Sequence, residues 1–412
     1  MHSPAYYLTG AARYVYAHPQ VMEKALAKTF VATWAVVLAY AQQQTTHSLA
    51  AAPDCVIPEG RPDQAQSAVR ELLARANLPI NVMLACGVKL ARAEFFEPAR
   101  DLFARGVKDY PRNFEVHYNL ALADLALRRF DEASTALEAP FQLSKNQQLA
   151  REYLRGKIYD ATGETVRAQG CFTAAFHGAP QEENYALDLG LFYLRQRDHR
   201  RALETLEAGV RYHPQSVYLL LAAGLAEYLD NDPPAAAVTG RKILALEPGF
   251  GPAQLLLAVA YYTNGEYEKC FRETAAAISR SGAPPYLYYL HTASMLQMNS
   301  QDYPAMLRDL EAANREMPRC AFCYFALSKV HQQMGSEQAA IGDLETLVHQ
   351  VDPAFSNGWY RLATLYKHAG RSADAAMALE KFNAIQSAQG DRETEYLRKF
   401  FLSELGSEAG GK

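Results

Sequence analysis

"LGLFYLRQRDHRRALETLEAGVRYHP", residues 189–214, decides the fold because its small and turn-forming residues recur at one fixed step. Gly190 stands 34 residues after Gly156 and 34 before Gly224, and Ala258 continues the column. Ala202 repeats the step with Ala168, Ala236 and Cys270, and Pro214 repeats it with Pro180 and Pro248. The physical cause is packing between paired helices. A small residue at mid-helix lets two backbones approach closely. A proline, lacking an amide hydrogen, ends the second helix of each pair.

The composition agrees. Of 412 residues, 49% are hydrophobic and 21% charged, enough apolar surface for two or three globular domains or one long repeat array. Ala, Leu, Glu, Arg and Gln dominate, and alternating Val, Ile and Thr runs are nearly absent, so the chain reads as all-α. A net charge of −4 with scattered Lys and Arg supplies no field or stripe for tracking phosphates, which argues against nucleic acid as a partner.

These columns resemble the tetratricopeptide repeat family, whose 34-residue unit follows W-x2-L-G-x2-Y, then A-x3-F, then P. "LGLFY" (189–193) with Ala202, Leu206 and Pro214 fits, as does "GWYRLATLY" (358–366) with Ala375 and Leu379. "RGKIY" (155–159) leads to Ala168, Phe172 and Pro180, and Ala99, Phe103 and Pro111 precede Ala133 and Leu137. The resemblance implies an all-α solenoid, a right-handed superhelix of helix–turn–helix units, with about nine units over residues 80–389. Two departures stand out. "ALEAPFQLSKN" replaces the usual proline ending of the second unit. Around "SGAPPYLYYLH" (281–291) the register slips by about two residues, which predicts a longer turn there and a bend in the superhelix.

The ends read as covers for the array. Residues 63–79 place Ala68, Leu72 and Leu73 on one helix face, and residues 390–405 align Tyr396, Leu397, Phe400, Phe401 and Leu405. Residues 406–412 read as a disordered tail and 42–62 as a flexible leader. Residues 22–41 have the order of a secretory signal: Lys24 and Lys28, an apolar run from Phe30 to Ala41, then A-Y-A at 39–41. The run of 12 residues is short of the roughly 20 needed to span a bilayer, so no transmembrane span is expected in the mature chain. The expectation is a signal peptide over 1–41, with 1–21 as an upstream misassignment of the start, and an exported chain, periplasmic or secreted. The alternatives are a buried first helix or an uncleaved membrane anchor. No lipobox precedes Cys55.

Cys320 and Cys323 form a C-x-x-C at the start of a first helix. Tyr324 in place of His excludes covalent haem attachment, and no second ligand pair stands nearby for zinc. A local disulfide and two packed thiols remain open. Cys86, Cys171 and Cys270 read as small apolar core residues. No phosphate loop, G-x-S-x-G, H-E-x-x-H or EF-hand spacing occurs, so no catalytic residue, metal site or cofactor is expected.

Function then falls to the inner wall formed by the first helix of each unit. With the Gly190 column facing the second helix, the inward candidates are Tyr153, Lys157, Leu187, Leu191, Leu194, Tyr218, Leu221, Leu225, Tyr228, Leu255, Val259 and Tyr262. Phe322, Phe325, Lys329, Asn357, Tyr360 and Lys367 continue the series. An apolar, aromatic groove suits a helix or extended peptide, or another copy of the chain, and points to a non-enzymatic protein-binding scaffold. Family resemblance implies envelope or secretion machinery as its setting. If the wall were wound tightly on itself, the same residues would be core. The alternative function is carbohydrate or polymer handling, possibly enzymatic, with tyrosines stacking on sugar rings and carboxylates such as Asp160 and Glu227 facing them. A third reading is a cytoplasmic scaffold whose apolar N-terminal segment is structural.

Overall fold

A computed structural model describes residues 62–280 and 283–386. The signal-like segment, most of the leader, the 390–405 segment and the tail lie outside these residues. The chain divides between His213 and Pro214 into two compact units, and the described residues of both are helical throughout.

The N-terminal unit opens with α1 (Pro62–Leu73) and continues as four hairpins. These pair α2 (Ile80–Arg92) with α3 (Phe96–Asp109), and α4 (Phe114–Ala126) with α5 (Phe130–Ala136). They then pair α6 (Lys145–Thr162) with α7 (Thr165–Gly178), and α8 (Glu183–Arg195) with α9 (His199–Tyr212). α1 packs on α3, where the Arg105 guanidinium donates to the Leu73 carbonyl at 3.1 Å. α5 has only seven residues. After it the chain restarts at Ser144, whose hydroxyl and Gln147 side chain cap each other's amides in a capping box. That restart replaces the missing proline ending.

The C-terminal unit holds five hairpins. They are α10 (Val217–Leu229) with α11 (Pro233–Leu246), α12 (Gly251–Thr263) with α13 (Tyr267–Ile278), and α14 (Pro285–Gln297) with α15 (Tyr303–Glu316). Then come α16 (Ala321–Gln333) with α17 (Glu337–Thr346) and α18 (Ser356–His368) with α19 (Ser372–Gln386). The connection 279–284 is long, as expected, because α13 stops early. It does not shift the register, since α12 and α14 still start 34 residues apart. The two surplus residues sit instead in the turn Met298–Asp302, five residues where seven of the other described hairpins use three.

One contact explains the Gly190 column. A Cβ built on Gly190 would lie 2.4 Å from Leu206 Cγ, and one on Gly87 would lie 2.4 Å from the Phe103 ring. In these two hairpins the small residue admits a bulky side chain from the second helix of its own hairpin, and both members of the pair are buried. The hairpin turns share a second device. A residue with positive φ lies in each of the nine, including Arg197 at 61° and Gly335 at 74°. It reverses the chain within three residues in most units.

Overpacking at this contact has a measurable consequence. Gly190→Ala is expected to destabilise the chain by about 1–3 kcal/mol, because Leu206 is fully buried and has little room to retreat. Urea unfolding midpoints of the two proteins check this.

Candidate functional site

In the N-terminal unit the inner wall is sealed by its own side chains. Leu187, Leu191 and Leu194 are buried, and Tyr153 is 1% exposed. The Tyr153 hydroxyl donates to the Asp188 carboxylate on the next first helix, and Lys157 Nζ lies 2.7 Å from the same group. Burial, reinforced by the adjacent carboxylate, holds the Tyr153 hydroxyl well above the ordinary tyrosine range, so it acts as a neutral donor. Asp160 is tied to Arg195 in the same manner. Lys157 keeps partial exposure.

The C-terminal unit repeats this. Leu221, Leu225, Tyr228, Leu255 and Val259 are buried. Tyr218 and Tyr262 are half-buried, packed edge-on against Phe250 and Tyr267. Tyr228 pairs with Thr263 at 3.4 Å, and Gln297 donates to the Tyr262 hydroxyl at 3.4 Å. Nine of the twelve inward candidates are therefore core, and Lys157, Tyr218 and Tyr262 retain partial exposure. The physical reason is that consecutive first helices, such as α10, α12 and α14, pack directly on one another. The apolar groove expected from the sequence is the seam between them. Of the carboxylates considered for sugar handling, Asp160 is already paired and Glu227 is half-buried.

An open cleft of about 640 Å³ lies at the last hairpin. Phe325 and Gln332 of α16 line it, with Asn357, Tyr360, Arg361, Thr364 and Leu365 of α18 and Phe382 and Gln386 of α19. Tyr360 is 55% exposed, and its ring lies 5.2 Å from that of Phe382. Arg361 donates to the Gln332 side-chain oxygen, and Lys329 Nζ sits 4.7 Å over the Phe325 ring. Burial, with the charge of Arg361 adding to it, pushes the Lys329 ammonium down to about 8. Phe322 is buried beneath this region, and Lys367 is exposed.

The reason for the opening shows in the repeat position that Leu379 occupies. Its counterparts Phe103, Leu137, Phe172, Leu206, Leu310 and Leu344 are all buried, whereas Leu379 is 44% exposed and Met377 61%. Among the described residues no further hairpin follows to cover them. The sequence placed Phe325, Asn357 and Tyr360 on the inner side but missed Arg361, Thr364, Phe382 and Gln386. Periodicity located the face but did not mark the cleft. Spacing alone did not carry that signal.

The cysteines divide. Cys320 and Cys323 are bonded through their sulfurs, with Cα atoms 5.2 Å apart, and Cys320 Sγ accepts from the Cys323 amide at the start of α16. Cys86 is buried, as the core reading has it, but is disulfide-bonded rather than a free thiol. Cys270 is buried core, and its thiol is pushed up to about 12 by burial. Cys171 departs from the core reading. It is half-exposed, with Sγ 3.5 Å from Glu152, and burial with that carboxylate raises its thiol to about 11. No group of three His, Cys, Asp or Glu residues able to hold a metal occurs among the described residues.

Among the described residues, four helix–turn–helix hairpins in one unit and five in the other define a tandem helical-repeat protein. Those within residues 87–140 and 187–249 match the family model described as tetratricopeptide repeat. BBSome complex member BBS4 of Bos taurus is 22% identical over 235 residues, 56% of this chain and 44% of that protein. The Mus musculus protein of the same name is 23% identical over 235 residues. The chain thus spans less than half the length of these curated relatives. Among solved structures, a tetratricopeptide repeat protein from Parabacteroides merdae is 16% identical, with a TM-score of 0.49. The match covers 63% of this chain and 99% of that one. PilW, a type IV pilus biogenesis factor, is 12% identical with a TM-score of 0.45, covering 52% of this chain and 97% of that one.

The Lys329 shift has a pH signature. Its protonated form is disfavoured by folding, so the penalty is in full force below about pH 8 and fades as pH rises toward the unfolded value near 10.4. Stability from this residue should therefore increase across that window. Lys329→Met is expected to gain about 1–3 kcal/mol at pH 7 and to flatten the increase, as read by denaturant titrations at pH 7 and 9.5.

Proposed function

We propose that the chain is a non-enzymatic scaffold that docks an apolar helical or peptide segment of a partner protein in the cleft of its last hairpin. The observation that carries this reading is the contrast at one repeat position: Leu379 is open where its counterparts are buried. Aromatic walls from Tyr360, Phe382 and Phe325 would take apolar side chains, while Asn357, Gln332 and Arg361 at the cleft bond polar groups. The proposal moves the docking surface from the inner seam to the end of the array. The BBS4 relatives, named as members of a complex, are components of a multiprotein assembly, a setting that fits a scaffold.

We also propose export to the cell envelope. The signal-like order of residues 22–41 and the bonded Cys320–Cys323 pair support it, since such bonds persist in oxidising compartments. No helix among the described residues is long and apolar enough to cross a membrane. Intact-mass measurement of the chain recovered from its native compartment should give a product that begins at Gln42 and takes up thiol label at Cys320 and Cys323 only after reduction. A product retaining Trp34, or one labelled without reductant, contradicts export.

Docking is checked with a phage-displayed library of helical peptides. Selection on the wild-type chain should enrich an apolar consensus whose affinity falls at least tenfold on Tyr360→Asp or Phe382→Asp. Val166→Asp, at an 85% exposed site in the other unit, should leave it unchanged. Enrichment that is indifferent to the cleft substitutions overturns the reading.

A further inference from the structure

We infer that Cys320 and Cys323 form a thiol–disulfide exchange site that takes two electrons from a dithiol donor through Cys320. Its chemistry does not depend on what docks at the cleft. The first observation is how little the bond constrains. The two cysteines are three positions apart in sequence. The restriction that a disulfide places on the unfolded chain grows with the loop it closes, and this loop is very short. The turn that holds both residues is also fixed by other contacts. The Cys320 amide donates to the Met317 carbonyl at 2.9 Å, and the Cys323 and Tyr324 amides donate to the Cys320 carbonyl at 3.0 and 3.2 Å. Phe322, between the cysteines, is buried, with its ring 5.5 Å from that of Tyr289 and 5.8 Å from that of Phe355. A bond that adds so little to cohesion is free to open and close.

The second observation is the helix cap. Cys320 Sγ accepts from the Cys323 amide at 3.1 Å. The Ser216 hydroxyl does the same for the Leu219 amide, at 3.2 Å, where α10 begins. Capping therefore needs the sulfur and not the S–S bond. Once the bond opens, the amide and the helix dipole favour the thiolate of Cys320. The third is asymmetry: Cys320 is 8% exposed and Cys323 is 0% exposed. An incoming thiolate meets Cys320. It attacks Cys320 Sγ, the S–S bond breaks, and Cys323 leaves as a thiolate that takes up a proton. The donor's second thiolate then attacks the donor sulfur of the mixed disulfide, and Cys320 leaves as the capped thiolate. The donor ends as a disulfide, oxidised by two electrons, and its two protons pass to Cys323 and to solvent.

The test uses the full-length oxidised chain in native buffer with dithiothreitol as the donor. Alkylation followed by peptide mass spectrometry reads Cys320 and Cys323 separately from the other cysteines. Dithiothreitol should reduce the pair at least tenfold faster than it reduces oxidised glutathione, and oxidised glutathione should then restore the bond. A rate below that mark overturns the inference, as does reduction that needs denaturant or a bond that does not re-form. Direction is read with single variants. Cys323→Ala should form a mixed disulfide with oxidised glutathione at Cys320 at least tenfold faster than Cys320→Ser forms one at Cys323. Equal rates, or the reverse order, refute entry through Cys320. The wild-type measurement decides the matter even where a variant fails to fold.

Discussion

Most of the described hairpins are held by one steric exchange between their two helices. A small residue on the first helix gives up volume to a large one on the second, sixteen residues later: Gly87 to Phe103, Gly156 to Phe172 and Gly190 to Leu206, with Ala121 and Leu137, and Ser328 and Leu344, at the same spacing and equally buried. With the exchange in place the helices meet closely enough for dispersion contacts to fill the interior. The hairpin 217–246 shows how strictly volume is conserved. There the large position is itself a glycine, Gly240, and Leu256 from the following hairpin comes to 2.6 Å of the Cβ that Gly224 lacks. The missing bulk is borrowed from a neighbour.

Closeness within hairpins carries over to closeness between them. Consecutive first helices pack so tightly that their leucines and tyrosines seal the seam, and the polar groups left on it satisfy one another across it. Tyr153 and Lys157 share Asp188, Asp160 holds Arg195, and Tyr262 accepts from Gln297. Such paired groups are committed to cohesion, since each would otherwise be a poorly solvated dipole or charge. In the last described hairpin, Leu379 and Met377 keep apolar area exposed.

How much of this was legible follows from what periodicity encodes. The columns at Gly190, Ala202 and Pro214 fixed the hairpin and its repetition, because equal spacing demands equal environment. They also put Phe325, Asn357 and Tyr360 on the correct side. They did not report whether the next hairpin covers that side, so Leu191 and Leu225 read as groove when they are seam. The register slip near residue 281 was legible in size but not in place. A loop can hold extra residues at either end of a helix, and the pattern resumes identically afterwards. Cys171 misled because its neighbour Phe172 is core, while a step of one residue on a helix turns the side chain by about 100° to a different face.

The short π-turn Leu347–Val351 shows how the array tolerates irregular length. In other hairpins the amide that closes the second helix reaches a carbonyl four residues back, His213 to Gly209, Glu247 to Ile243 and Met317 to Ala313. Here the Asp352 amide reaches five back, to Leu347, at 2.7 Å. One surplus residue has been taken up as a wider loop of coil, and Phe355 enters α18 in phase with its predecessors. Distance along the chain and position in the stack have thereby become separate variables. Insertions that land in such slack regions leave the packing of the neighbouring hairpins untouched, so a lineage can vary the length of single modules without rebuilding their joints.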